Sequence, residues 1–204
     1  TDDDKSWDIT RELIEFSRIL LNEEDTAHFR GLADKSIGDF AALKKKLNKE
    51  QTELKSRFTE IGITGLALIE AAGLDHKDFY YSLLPKHFFA LSTNHEKASF
   101  FDDGKLKERI EERLFYSKNK SQQIINSIEE ILPELLTLYA ESEAIFQQLT
   151  LRKLAVKSLI PLAVLNHINA ELTTIKEENN IRLNAEFNQL ISDNIKDQPA
   201  PFIY

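Results

Sequence analysis

From Pro133 to about Asn180 the apolar side chains fall on one stripe. Leu135, Leu138, Ile145, Leu149, Val156, Leu159, Ala163, Ile168, Leu172 and Ile175 recur at steps of three, four or seven, with Ser142 in one of the same positions. That spacing is the period of an α-helix, whereas a strand alternates every second residue. The stretch reads as one long helix against which the other elements pack. Pro133 suits its first turn, where a missing N–H costs nothing, but Pro161 lies inside the pattern and clashes with the preceding turn. A kink or a break is therefore expected between Ser158 and Pro161. Straight, the helix would run about 70 Å at roughly 1.5 Å per residue, longer than a compact domain of this size is wide. It must bend or protrude.

The rest of the chain is helical in pattern too. Ser6, Trp7 and Asp8 mark a helix start, and Leu13, Ile14, Ile19, Leu20 and Leu21 give that helix an apolar face ending near Asn22. Glu23 to Asp25 follows as a solvated turn. A second helix, capped near Ser36, carries Phe40, Leu43, Leu47, Leu54, Phe58 and Ile61 until Gly62 is expected to stop it. A short helix from Thr64 to Ala72 then ends at Gly73, and Asp75 caps another through Phe79 and Tyr81 to Pro85. Ser92 to Gly104 is the least regular stretch, a surface loop around a helical turn. Leu106, Ile110 and Leu114 stripe a further helix; Ser121 begins the next, whose Ile124, Ile125, Ile128 and Leu132 run into Pro133. Asn184 caps the last, which holds Phe187, Leu190, Ile191 and Ile195 before Pro199 and Pro201.

With 6 Gly and 5 Pro confined to a few places, the tight turns of a sheet protein are missing, and the fold class expected is all-α. It is an irregular multi-helix domain with one or two long, kinked helices. The 204 residues suffice for one sizeable core, and the 42% hydrophobic content is that of a globular chain, not a disordered one. There is no cysteine, which excludes a disulfide framework, a thiolate nucleophile and a zinc–thiolate site, and fits a reducing cytoplasm. No apolar run is long enough for a membrane span and no signal-peptide pattern opens the chain, so a soluble protein is expected. With no methionine, and with Pro201 to Tyr204 forming an apolar end, the chain reads as a piece of something longer.

Charge changes the picture more than composition does. The net charge is −8, which argues against a general nucleic-acid-binding surface, yet two islands are basic. Residues 31 to 60 carry 7 bases against 5 acids, and residues 105 to 120 carry 6 against 3. The first island is Lys44, Lys45, Lys46 and Lys49 on the second helix; the second is Lys105, Lys107, Arg109 and Arg113. A lysine-rich helix face is ordinarily a solvated face. The alternative is contact with phosphates. The aromatics from Phe79 to Phe101 are interleaved with bases and could stack nucleobases, although such clusters more often build cores.

Catalytic signatures are missing: the sequence has no phosphate-binding glycine loop, no nucleophile elbow and no H-E-x-x-H. His28, His76, His87, His95 and His167 stand apart from one another, with no metal-ligand spacing. Neighbouring acids such as Glu111 and Glu112 point apart on a helix, which suits solvation better than acid–base work.

The opening DDDKSWDITRELIEFSRILLNEE and the closing NIRLNAEFNQLISDNIKDQPAPFIY resemble a part of the UvrD/RecB/AddA-type, superfamily 1A DNA helicases. That part lies ahead of the Walker B strand, where a long helix leads to a short polar helix and then a linker. Asn184 to Ile191 look like the short helix and Pro201 to Tyr204 like the linker. The likeness covers about 45 residues and the middle only in its helical character. It implies a helical insertion of the 1B kind spanning residues 1–204, with residues 1–22 and 181–204 forming the base that joins the motor. It also implies a parent enzyme that uses ATP and Mg²⁺ to unwind DNA, and a fragment that touches DNA near the duplex junction without hydrolysing ATP itself. The two basic islands would then be the phosphate contacts. A helical protein–protein interaction module with no nucleic-acid role is the alternative. An ATP-dependent enzyme in its own right is a third.

Overall fold

The computed structural model describes residues 10–21, 30–98, 100, 105–117, 119–183, 187 and 191, and over these the protein is all-α. Five α-helices follow in order: α1 (Thr10–Ser17), continued by a 3-10 turn to Leu21, α2 (Ile37–Ala71), α3 (Leu83–Thr93), α4 (Lys105–Glu111) and α5 (Gln122–Asn179). An isolated bridge between Phe79 and Tyr116 is the one β-type pairing among the described residues. None of these helices is long and apolar enough to cross a membrane. The expected helix start at Ser6, the turn at Glu23 and the cap at Asn184 lie outside the described residues. Phe187 and Ile191 are helical and exposed.

Local capping chemistry places most of the helix ends. Ser36 Oγ accepts from the Asp39 N–H at 3.2 Å while the Asp39 carboxylate accepts from the Ser36 N–H at 2.8 Å, a capping box at the mouth of α2. Asp75 and Asp78 form a second box, which caps only a single 3-10 turn, His76–Asp78. Ser121 Oγ accepts from the Ile124 N–H at 3.4 Å and starts α5. At the C-terminal ends the same pair of hydrogen bonds recurs around a residue with positive φ. Gly73 (φ 68) closes α2, Arg113 (φ 55) closes α4 and Asn180 (φ 52) closes α5. In each case the N–H one residue further on reaches back to a carbonyl of the last turn: Leu74 to Ile69, Leu114 to Arg109 and Ile181 to Lys176.

Four boundaries differ from the sequence expectation. α2 passes through Gly62 instead of stopping there. Pro133 is an interior residue of α5, and the helix is unbroken at Pro161. Both prolines are exposed, so the carbonyls they leave without an N–H partner face water. The segment before Pro85 is not one α-helix but two 3-10 turns, His76–Asp78 and Tyr80–Ser82: Tyr81 and Ser82 have positive φ, and Pro85 falls in the first turn of α3. Arg113 leaves the helical face of α4 because it adopts the left-handed capping conformation.

Two compact units can be told apart, residues 45–156 and residues 1–44 with 157–204. Within the first, Arg152 Nε donates to Glu50 at 2.6 Å and Arg57 pairs with Glu141. Partners that climb along α2 descend along α5, so the two segments run antiparallel. The core between them and α3 contains Phe58, Phe88, Ile128 and Leu135, all fully buried, each contributing about 1.5–3 kcal/mol on burial. In the other unit Leu20 and Leu165 are buried together, with Leu32, Leu162 and Ile168 packed around them. There Asn166 Nδ2 also donates to the Lys35 carbonyl at 2.8 Å.

Candidate nucleic-acid interface

The aromatic run between Phe79 and Phe100 divides into two populations. Phe79, Phe88 and Phe100 are core; Tyr81 is 73% exposed and Phe89 60% exposed. The division follows from the backbone. Tyr80 N–H is tied to the Phe115 carbonyl at 2.7 Å, and the chain then passes through two consecutive left-handed residues, Tyr81 (φ 48, ψ 18) and Ser82 (φ 54, ψ 25). For a residue with a Cβ each such conformation costs about 1–2 kcal/mol. Neither is glycine or asparagine, so the strain is met by the surrounding structure. Its effect is to turn the Tyr81 ring outward from α3.

Tyr81 lines a depression of about 450 Å³ whose other walls are Leu83, Lys86, Lys105, Glu108 and Arg109. Lys86 Nζ donates to the Tyr81 backbone carbonyl at 3.2 Å, which ties its ammonium group to this turn. The Tyr80 ring meets that of Tyr81 edge-on, centroids 4.6 Å apart, and the Arg109 guanidinium lies 5.8 Å from the Tyr80 centroid. Arg109 is also paired with Glu112 and lies 3.6 Å from Glu108. The hydrogen bond that Arg109 donates to Glu112 pushes the arginine's pKa further up, so its positive charge is permanent and already engaged. The wall holds three cations and one carboxylate, but Arg109 is already paired with Glu112 and Glu108, so Lys86 and Lys105 are left to give the depression its positive charge.

Of the sequence candidates, this depression brings together Lys105 and Arg109. Lys107 is half-buried on α4, and Arg113 sits in the capping position beyond it. The other island is dispersed along α2. Lys44 lines an apolar depression of about 460 Å³ with Leu13, Ile37, Phe40, Leu159 and Ile160; Lys45 and Lys46 are exposed; Lys49 pairs with Glu53 at 3.7 Å. No residue of that island lines the wall around Tyr81. Sequence reasoning missed Lys86 as a member of the site and held Tyr81 only as one of a run of aromatics that could stack nucleobases. Lys86 carries a signal, since it sits three residues before exposed Phe89 on one helical face, but a strained tyrosine carries none.

One buried pair has the outline of a catalytic dyad. His87 Nε2 lies 3.0 Å from Ser142 Oγ. Ser142 Oγ, however, donates its hydrogen to the Tyr139 carbonyl at 2.7 Å, so His87 Nε2 must be the donor to the hydroxyl. A ring nitrogen that carries its proton toward the serine cannot remove one from it. Both side chains are also at most 2% exposed. The pair is a core contact. Beside it, Tyr139 OH donates to Glu143 at 2.7 Å, and burial pushes the phenol pKa up, with the carboxylate adding to the shift.

The described histidines serve packing or surface roles. His95 stacks on Phe58, centroids 5.2 Å apart, and burial lowers its pKa. His76 sits 2.9 Å from Asp75, and His167 is exposed; His28 lies outside the described residues. Among the described residues no group of three or more His, Asp or Glu side chains is arranged to hold a metal ion. No family model matches the chain, and no curated protein or solved structure is significantly similar to it.

Proposed function

We propose that this chain is the helical accessory domain, of the 1B kind, of a bacterial cytoplasmic DNA helicase or helicase–nuclease. In this reading it contacts DNA near the duplex junction, while ATP and Mg²⁺ are handled by the motor domains of the same polypeptide. The observation that carries the reading is that Leu20, early in the chain, and Leu165, late in it, are buried in one cluster. A domain inserted into a motor must return its chain to the side from which it left; Leu20 lies in the opening segment that resembles the helicases, and Leu165 on the helix that leads to the closing one. The electropositive wall at Lys86, Lys105 and Arg109 supplies a surface for phosphates on a chain that is acidic as a whole.

The unit that holds both segments exposes Ile14, Leu21, Ile37 and Ile160, each more than half accessible. These residues favour the second reading, a protein–protein interaction module, but they serve the first equally well as the seat for the motor domains. Forked DNA decides between the two. Fluorescence anisotropy with the 204-residue chain should show weak binding at low salt that falls away at moderate salt, with a log–log slope of about −1.4 for two single-strand phosphate contacts by Lys86 and Lys105. No binding at either salt concentration would favour the interaction module. Turnover of ATP by the same chain would overturn both readings.

A further inference from the structure

We propose that Tyr81 is a stacking platform for one unpaired base of a single-stranded nucleic acid, with Lys86 and Lys105 holding the flanking phosphate. The inference rests on the DNA-contact reading above and deepens it to a strand type and a residue.

The geometry selects the ligand. Tyr81 is the most exposed of the large hydrophobic and aromatic side chains recorded as exposed, and the left-handed Ser82 beside it, the N-cap of α3, makes no side-chain capping hydrogen bond. The Tyr81 ring meets only the edge-on Tyr80 ring recorded above and is still 73% exposed, so another flat, apolar face can cover it. Nucleobases offer one on both sides, and stacking is indifferent to which base is present. A duplex offers no such face along its length, because its bases are already stacked. The cations point the same way. An acidic or phosphorylated peptide is best met by the planar, bidentate fork of an arginine. Arg109 has its fork engaged by Glu112 and Glu108, which leaves two lysines at the wall, and lysines act on phosphate as point charges without fixing its orientation. The volume of about 450 Å³ lies within the range of sites that accept a small-molecule-sized group.

The strain provides the sharpest test. Glycine at position 81 removes the ring and relieves the left-handed backbone at once, so Tyr81→Gly should raise the melting temperature while weakening single-strand binding. A structural tyrosine would lose both together. With the 204-residue chain at low salt, a labelled oligothymidylate should bind about tenfold more tightly than an abasic strand of equal length, and more tightly than a blunt duplex. Tyr81→Ala should abolish that preference, Tyr81→Trp should preserve it, and Lys105→Ala should weaken thymidylate and abasic strands alike. Equal affinity for the two strands in the wild type, or a Tyr81→Ala variant that still discriminates, overturns the stacking role while leaving fork binding intact. If polyglutamate displaces the oligonucleotide at equal charge concentration, the site is one for acidic protein instead. Absence of any nucleic-acid binding removes this inference together with the proposed function.

Discussion

The Phe88 ring lies against the backbone of Gly65 so closely that a Cβ there would stand 2.5 Å from two of its ring carbons. One turn earlier, a Cβ on Gly62 would come within 2.6 Å of the Phe88 carbonyl oxygen and would meet the Ser92 backbone as well. The two glycines let α3 approach α2 at backbone distance, and Phe88 fills the gap without residual exposure. Gly65→Ala gains up to about 1 kcal/mol of helix propensity but forces an overpacked ring, at about 1–3 kcal/mol. Gly62→Ala meets backbone that cannot rotate away. Urea melts should therefore rank wild type above Gly65→Ala, and Gly65→Ala above Gly62→Ala. An alanine at position 62 that stabilised the protein would refute the close approach.

Those glycines also show what was legible in the sequence. A glycine inside a helical pattern is locally a weak helix former, so Gly62 reads as a stop; only the neighbour across the interface reveals it as a contact. By contrast Ser36, Gly73 and Ser121 act on their own helix ends, and each lies where the sequence places it. Of the stripe, Leu135, Ser142, Ile145, Leu149 and Leu159 are buried, because its period reports one face of one helix, while Ile175 near its far end is exposed. At Pro161 the break does not occur, and the exposed position of the proline lets water take the freed carbonyl. The candidate site was half legible. Lys105 and Arg109 come together as one helix face must bring them, whereas Tyr81 depends on a positive φ that tyrosine does nothing to advertise.

Arg113 provides a second test of that kind of strain. It closes α4 in the left-handed conformation, where an asparagine or glycine is the usual occupant. Arg113→Gly should stabilise the protein by about 1 kcal/mol, read as a rise in the denaturation midpoint at unchanged slope. If the arginine also contacts phosphate, the same variant will bind forked DNA more weakly. A midpoint that falls would mean that the Arg113 side chain makes a contact worth more than the strain.

His95 makes stability depend on pH. Its ring is stacked on Phe58, its Nε2 is buried without a protein partner, and burial holds its pKa below the ordinary 6.5. Lys153 and Lys55 push in the same direction, while Glu96 opposes them. The unfolded chain thus binds a proton that the folded chain refuses. Stability is full above the unfolded pKa and falls as pH drops from about 6.5 toward the lower folded value. His95→Phe keeps the stack and removes the titration. Its denaturation midpoint should change less between pH 7.5 and 5.5 than that of the wild type; parallel losses in both proteins would place the acid sensitivity elsewhere.

Leu165 is buried against Leu20 in the unit that gathers the early and late segments, away from the cluster that contains Phe58 and Phe88. Truncation to alanine removes most of a buried side chain and leaves a cavity, which in well-packed sites costs about 2–5 kcal/mol. The small cluster around Leu20 has few other buried members among the described residues, so the loss should be felt there as local opening. In Leu165→Ala, amide exchange should accelerate in residues 10–21 and around position 165, with protection retained near Phe58, Phe88 and Leu135. Uniform acceleration across both regions would show that the two units unfold as one, and would remove the reason for treating the unit that holds Leu20 and Leu165 as a separate base.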